Sequence, residues 1–475
     1  MSEEMAVNDF IDALSVRIVS YLENSETPGK VVDFLPPKSL RKITDLKLPL
    51  EGRGINAVLD DIDEYLRLCV KTNRAGFMNP LWGGLSLSGF AGEVIANLSN
   101  TSMYTYELAP LATLIEQTII SRVGEIIGYP QCAGSLTTGG SNGNMLGILC
   151  ARQALIPTST QDGFDGREMV MFVSEEAHYS VLMAANVLGI GHRNVVKVSC
   201  DDAGRMKPTA LEYEIEFARK EGRTPFCVVA TAGTTVRGAF DPIKDLADIA
   251  HREGLWYHID AAWGGSCLFS NELSSLMNGC ELADSVCWDA HKMLGMPLIC
   301  SIFVVKDKSI LGRVCAHGDS AHYLFHEDTE DVDLGRYSLQ CGRRNDALKL
   351  WLAWREKGDA GWAKLVDKYH ALSDYLEERV NQETSLTMMS SRQWTNICFR
   401  YDPQIEGTDL NALNIEVRER MMQGGQFMFS RANIGDDIIL RLVITNPKVS
   451  EQSLDQLVDD IIKVGDEIIN GIPAQ

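Results

Sequence analysis

Two side chains of opposite chemistry stand just past apolar runs. Asp260 ends LWYHID and is followed by AAWGG, and Lys292 follows DSVCWD in the stretch AHK. A carboxylate can hold a proton on a neighbouring base, and a lysine amine can carry a carbonyl compound covalently. Singly, each has a plainer reading: Asp260 as a helix N-cap and Lys292 as a solvated loop lysine. Three further features stand with them. LTTGGSNGNM (136–145) is a glycine-rich turn entering a helix. There Gly140, Ser141 and Asn142 offer N–H groups and short side chains to a phosphate. SEEAHYS places His178 after another run, and ATAGTT (230–235) places Thr231 and other small hydroxyls after a third. Glycine turns and lone histidines are common in structural roles, so the weight rests on the set.

Such chemistry needs a scaffold that brings strand ends to one edge. The runs MVMFV (169–173), NVVKV (194–198), FCVVATA (226–232), LWYHID (255–260) and DSVCWD (284–289) alternate with helix-like stretches near 178–188, 207–220 and 243–253. Continuous apolar strands alternating with helices predict an α/β fold with a mostly parallel sheet covered on both faces. Ligands bind such sheets beyond the carboxyl ends of the strands. Past residue 345 the pattern gives helices over 347–354 and 362–382, the runs TNICFRY (395–401) and IILRLVIT (438–445), and a last helix from about Leu454. This predicts a smaller α+β C-terminal domain. At the other end, Val7, Phe10, Ile11, Leu14, Ile18, Tyr21 and Leu22 keep helical spacing. That helix packs either on its own domain or on a second subunit. Another helix is expected over 55–69. The domain expectation is an N-terminal helical segment over 1–80, a large domain over 81–350 and a small one over 351–475.

Composition narrows the partners. Forty-four basic against 65 acidic residues leave a net charge of −21. That argues against nucleic acid and anionic membrane surfaces, both of which need basic patches. The twelve cysteines contain no C-x-x-C pair, so neither a zinc site nor a disulfide framework is expected, and a reducing compartment is. The start MSEEMAVND is acidic where a secretory leader is basic. No apolar run reaches the roughly 18 residues of a membrane span. A cytoplasmic protein is expected.

Phosphate cradle, flat stacking ring, carboxylate and lysine arrive in order along the chain. Together they describe a site for pyridoxal phosphate, with no metal. Lys292 would carry the cofactor aldehyde. Asp260 would pair with the pyridine nitrogen and keep it protonated, so that the ring accepts electrons. His178 could stack on the ring, and His291 could add a phosphate or ring contact.

HIDAAWGG followed by WDAHKMLG resembles the group II pyridoxal-phosphate decarboxylases. NTSMYTYELAP (100–110), ATAGTTVRGAFDP (230–242), HYLF (322–325), QCGRR (340–344) and RLVITNP (441–447) are similar to the glutamate and cysteine sulfinate decarboxylases among them. The resemblance runs from about Gly76 to the end. It implies the type I aminotransferase-like fold, a homodimer with shared active sites, and decarboxylation of an acidic L-amino acid (glutamate, aspartate, cysteine sulfinate or cysteate). Residue by residue, it implies Lys292 as the cofactor lysine, Asp260 as the pyridinium partner, and Ala262 as the small residue near the ring. His178 becomes the stacking histidine and Thr231 a cofactor contact. Tyr323 of HYLF becomes the donor of a proton to the α-carbon, on a polar stretch expected to act as a lid. Arg441 becomes the ligand of a substrate carboxylate, which suits a guanidinium inside an apolar run.

One position departs from the pattern. The animal enzymes carry Asn-Gln where this chain has Asn79-Pro80. The glutamine lines their substrate pocket, and Pro80 has no side-chain donor or acceptor. Asn79 and Trp82 remain as candidate substrate contacts, with Trp82 narrowing the pocket towards substrates shorter than glutamate. Decarboxylation of an aromatic or other amino acid, another pyridoxal chemistry, or a catalytically silent scaffold stay as alternatives.

Overall fold

The apolar runs form the centre of a seven-stranded sheet. The computed structural model describes residues 5–316 and 332–471. The chain divides into two compact units. One comprises Leu85–Asp374 with Ser390–Cys398, and the other the described parts of 1–84 and 399–475 with Tyr375–Met389.

In the first unit the strands are β1 (Ala133–Thr137), β2 (Met169–Ser174), β3 (Val195–Val198), β4 (Thr224–Thr231), β5 (Trp256–Asp260), β6 (Ser285–Asp289) and β7 (Ser301–Val305). Their order is β1-β7-β6-β5-β4-β2-β3. From β3 to β6 all neighbours are parallel, while β7 runs antiparallel to both β6 and β1. β1 therefore points the same way as β6. The carboxyl ends of β1, β2, β4, β5 and β6 all lie along one edge. The mostly parallel α/β fold expected from the sequence is the fold observed.

Helices explain why these strands read as unbroken apolar runs. Every residue of β2, β6 and β7 is buried. The Ile243–Arg252 helix buries Ile243, Leu246, Ala247, Ile249 and Ala250 on one face. Each fully buried large apolar side chain contributes about 1.5–3 kcal/mol. Removing Phe172, which has no exposed surface, to alanine would cost about 3–5 kcal/mol. The Gly140–Leu155 helix approaches the sheet more closely. A Cβ added at Gly140 would come within 2.6 Å of Asp289 Oδ2, and one at Gly147 within 2.5 Å of His258 Nδ1. Between them, Gly143 faces Cys287. Three glycines thus form the face that meets β5 and β6.

Two strands escape the alternating pattern. LICSIFVV holds β7, which returns antiparallel with no helix before it. AGSLT, with a glycine and a serine, forms β1 only because β7 and the neighbouring helices cover it. The helices expected over 347–354 and 362–382 join into one run, Ala347–Asn381, interrupted at Gly358 (φ 60°, ψ 178°). That positive φ suits glycine alone.

A smaller sheet has the order β10-β11-β9-β8, from β8 (Leu386–Met388), β9 (Asn396–Tyr401), β10 (Ser430–Ile434) and β11 (Asp437–Val443). The β8/β9 and β10/β11 pairs are antiparallel. The Glu451–Ile469 helix starts with a reciprocal Ser450–Ser453 capping box and buries Leu454, Leu457, Val458 and Ile461. Within this unit the N-terminal segment is stitched to the C-terminal part. Val31 N–H donates to Gly425 O (2.7 Å) and Met78 N–H to Met428 O (2.9 Å). Among the described residues, no helix is long and apolar enough to cross a membrane.

Candidate active site

The strand-end residues meet at the carboxyl edge of the seven-stranded sheet. β5 ends on Asp260, in register with Thr231 at the end of β4 and with Cys287 of β6. The turn after β6 carries His291 and Lys292. The turn after β2 carries His178. The turn after β1 opens the Gly140–Leu155 helix.

Asp260 is buried, with both carboxylate oxygens engaged. Oδ1 accepts from Ala262 N–H (3.1 Å) and Oδ2 from Asn144 Nδ2 (2.8 Å). Lys292 keeps a fifth of its side chain exposed, and its Nζ lies 3.4 Å from Asp289 Oδ2. Asp289 is itself buried and accepts from the Ser301 hydroxyl. His291 Nε2 is 3.7 Å from the same Asp289 oxygen, and its Nδ1 lies 3.0 Å from Cys300 O and 3.2 Å from Cys300 N. Burial pushes the His291 imidazole down, with Asp289 pulling the other way. His178 is half-buried and its Nδ1 accepts from Ser180 N–H (3.2 Å), which leaves the ring proton on Nε2. Burial lowers its pKa too, Asp260 opposing and Lys292 adding to the shift. His178 is therefore a neutral flat ring facing the aspartate and lysine charges.

Two observations test whether pyridoxal phosphate fits. First, the helix opening at Gly140 has no side-chain cap. Among the described residues, no acceptor takes the Gly140 or Ser141 N–H, so both are free for a phosphate at the positive end of the helix. Asn142 is more committed: its backbone N–H bonds Gly139 O (3.0 Å) and its side-chain amide turns to Thr138. Second, Thr231 Oγ1 is buried with no hydrogen-bond partner. An orphaned hydroxyl beside Asp260 is costly unless a polar ligand completes it. Phosphate donors, an orphan hydroxyl, a carboxylate, an aromatic ring and a reachable amine along one edge fit the cofactor.

Comparison with known proteins decides the family. Residues 37–402 match the pyridoxal-dependent decarboxylase conserved domain. The chain belongs to the pyridoxal-dependent decarboxylases. It is 38% identical over 461 residues to acidic amino acid decarboxylase GADL1 of Bos taurus, covering 94% of this chain and 88% of that one. It is 36% identical to cysteine sulfinic acid decarboxylase of Mus musculus, covering 94% and 93%. The crystal structure of mouse CSAD in apo form superposes with a TM-score of 0.92 at 34% identity, covering 97% of this chain and 98% of that one. The protein is accordingly a pyridoxal-phosphate-dependent amino-acid decarboxylase.

Asn79, Trp82 and Arg441 belong to the second unit. There Trp82 packs on Phe77 (centroids 5.2 Å apart), Asn79 is half-buried, and Pro80 is exposed after a cis Asn79–Pro80 bond. Arg441, on β11, is buried and donates from Nε to Ser430 Oγ (2.8 Å). Tyr323 lies outside the described residues. Sequence reasoning missed Asn144 and Asp289 in this decarboxylase. Asn144 sits one helical turn past Gly140, on the side that faces the strand ends. Asp289 is the last residue of a quoted strand, and its nearness to Lys292 follows from the tight turn between them.

Proposed function

We propose that the enzyme removes the α-carboxylate of an acidic L-amino acid, releasing carbon dioxide and the amine. The observation that carries the site assignment is the joint placement of Lys292, Asp260 and the orphan Thr231 hydroxyl beyond one sheet edge. The acidic substrate is supported by relatives above 35% identity that are acidic amino acid and cysteine sulfinic acid decarboxylases, and by Arg441.

In this reading the Gly140 and Ser141 N–H groups, with Asn142, hold the phosphate. His178 would stack on the cofactor ring, with Ala262 as the small residue near it, and the Thr231 hydroxyl would find its partner on the cofactor. Asp260 accepts a hydrogen bond from the ring nitrogen, keeping a proton there. Lys292 would hold the cofactor aldehyde through its Nζ, 3.4 Å from Asp289 Oδ2. His291 stands behind it as a phosphate or ring contact. Bound pyridoxal phosphate supplies the sink for the electron pair left when carbon dioxide departs. Tyr323 delivers the proton to the α-carbon. Arg441 holds the acidic group of the substrate through its guanidinium fork. Asn79 and Trp82 shape the pocket: Pro80 offers no side-chain hydrogen bond to a distal acidic group, and the bulk of Trp82 favours aspartate or cysteine sulfinate over the longer glutamate.

The assembly belongs to the same reading. The Val7–Glu26 helix leaves Val7 76%, Ile11 49%, Val16 68% and Val19 51% exposed, and buries only Ser25. Exposed apolar side chains of that kind, spread around the helix, suit packing on a second subunit in a cytoplasmic homodimer. The three-part division into a dimer-packing segment (1–80), a cofactor domain (81–350) and a small domain (351–475) goes with it.

A screen of aspartate, cysteine sulfinate, cysteate, glutamate and the aromatic amino acids tests the assignment. Equimolar carbon dioxide and amine from a short acidic substrate are expected. Turnover of aromatic amino acids alone, or a keto acid without carbon dioxide, would overturn it.

A further inference from the structure

We propose that His258 is a positioning residue for Asp260. A buried chain from Trp256 through Ser285 and His258 to Asn144 fixes the Asn144 amide, so that its NH2 group faces the carboxylate. This rests on the reading above that Asp260 pairs with the cofactor ring nitrogen.

The polarity of each link follows from the next. A carboxylate only accepts, so Asn144 must turn its amide nitrogen to Asp260 Oδ2, 2.8 Å away. The same nitrogen reaches Ser180 Oγ at 3.1 Å. Asn144 Oδ1 is then left facing His258 Nε2 at 3.1 Å. An amide oxygen cannot donate, so Nε2 carries the imidazole proton. His258 has no exposed surface, and burial brings its pKa down to about 4, against the pull of Asp260. The ring is therefore neutral and its Nδ1 bare. Ser285 Oγ, 2.8 Å away, donates to Nδ1. The serine oxygen in turn takes the Trp256 indole N–H at 3.0 Å, a group that only donates. From tryptophan to carboxylate, every proton has one allowed place.

The chain contains no cation. A lysine or arginine in place of Asn144 would pair with Asp260 and compete with the ring nitrogen for its charge. Neutral donors fix the carboxylate in direction and leave its charge to the cofactor. The helix makes room for this arrangement at Gly147, where any Cβ would strike the imidazole. Being two residues apart on β5, His258 and Asp260 point to the same face of the sheet, the face that the Asn144 helix covers.

The test uses holoenzyme carrying ring-¹⁵N-labelled pyridoxal phosphate, whose nitrogen shift reads ring protonation directly between pH 6 and 9. Wild type should stay protonated throughout, and Asp260→Asn should not. His258→Phe keeps a packed ring but loses the donor to Asn144. Its midpoint should fall by roughly one to two pH units, the effect of one hydrogen bond to a charged group. In that variant kcat should fall about tenfold with a smaller change in KM. His258→Gln places an amide N–H near the position of Nε2 and should restore the wild-type shift, although it packs worse. A purely structural role predicts the reverse order of these two variants. Ser285→Ala, which frees the tautomer without touching the core ring, should lower the midpoint in the same direction, and serves if His258→Phe does not fold. A wild-type profile in His258→Phe or Ser285→Ala alongside a lost signal in Asp260→Asn would overturn the role of His258 and leave that of Asp260. A wild-type profile in Asp260→Asn would overturn both.

Discussion

Thr231 carries the sharpest conflict between stability and binding. Its hydroxyl is buried without a partner, so the cofactor-free fold bears an unsatisfied group costing about 1–3 kcal/mol. Thr231→Val should raise the urea midpoint of the apo protein while weakening pyridoxal phosphate binding about tenfold, read by equilibrium dialysis. Equal losses in both measurements would mean that the hydroxyl is bonded without the cofactor. His258 makes a second prediction through pH. Its pKa falls from 6.5 to about 4 in the fold, so the unfolded chain binds the extra proton first. Its contribution is complete above pH 6.5 and drains away as pH falls to 4, by about 1.4 kcal/mol per unit and about 3 kcal/mol in total. Urea titrations from pH 7 to 4 should show that loss in wild type and a flatter slope in His258→Gln. Lys292, Asp260 and His178 stood out as candidates because their types are reactive, and their common sheet edge was readable because each closes or follows a strand. His258 was less visible, being an imidazole inside a buried strand that reads as core. The signal was there in its two-residue offset from Asp260, which fixes a shared face.

Among elements, the Gly140–Leu155 helix does most to assemble the site. Its opening offers the free N–H groups, and its glycine face lets the backbone settle on β5 and β6. Gly140→Ala would bring a methyl group to 2.6 Å from Asp289 Oδ2. Overpacking of that kind costs about 1–3 kcal/mol, more than the roughly 1 kcal/mol that alanine gains over glycine in a helix. The variant should melt lower and lose cofactor affinity together; a higher melting temperature would mean that the helix lifts away freely. The glycine turn drew notice as a candidate phosphate seat only in company with the strand-end residues, because glycine turns open many helices. What glycines 143 and 147 touch was not legible, since a missing side chain does not name its neighbour. Strands β2 to β6 were legible because burial on both faces removes polar residues from them. β1 and β7 were not, because an antiparallel return breaks the alternation of strand and helix on which that reading depends.

At the scale of the whole molecule, a charge of −21 surrounds a site built to hold a phosphate and an acidic substrate. The local donors, Lys292 and the helix opening, act at contact distance, whereas the excess acid acts through solvent that screens it within about 10 Å at 0.1 M salt. The proposed dimer is testable at the exposed apolar side chains of the N-terminal helix. Ile11→Glu should shift the sedimenting species towards monomer while the circular dichroism of the chain stays unchanged; an unaltered mass would remove that helix from the subunit contact. Substrate choice was the least legible property, since the positions proposed for it, Asn79, Trp82 and Arg441, are distant in sequence and individually ordinary. The glycine face of the Gly140–Leu155 helix has one more consequence. Because that backbone rests directly on the strands that carry Asp260 and lead to Lys292, the proposed phosphate seat and the proposed ring-nitrogen partner are held at a set separation. The enzyme is thus a caliper for its cofactor. A pyridoxal phosphate homologue with one extra methylene in the phosphate arm should bind at least about tenfold more weakly than one merely lacking the ring methyl group.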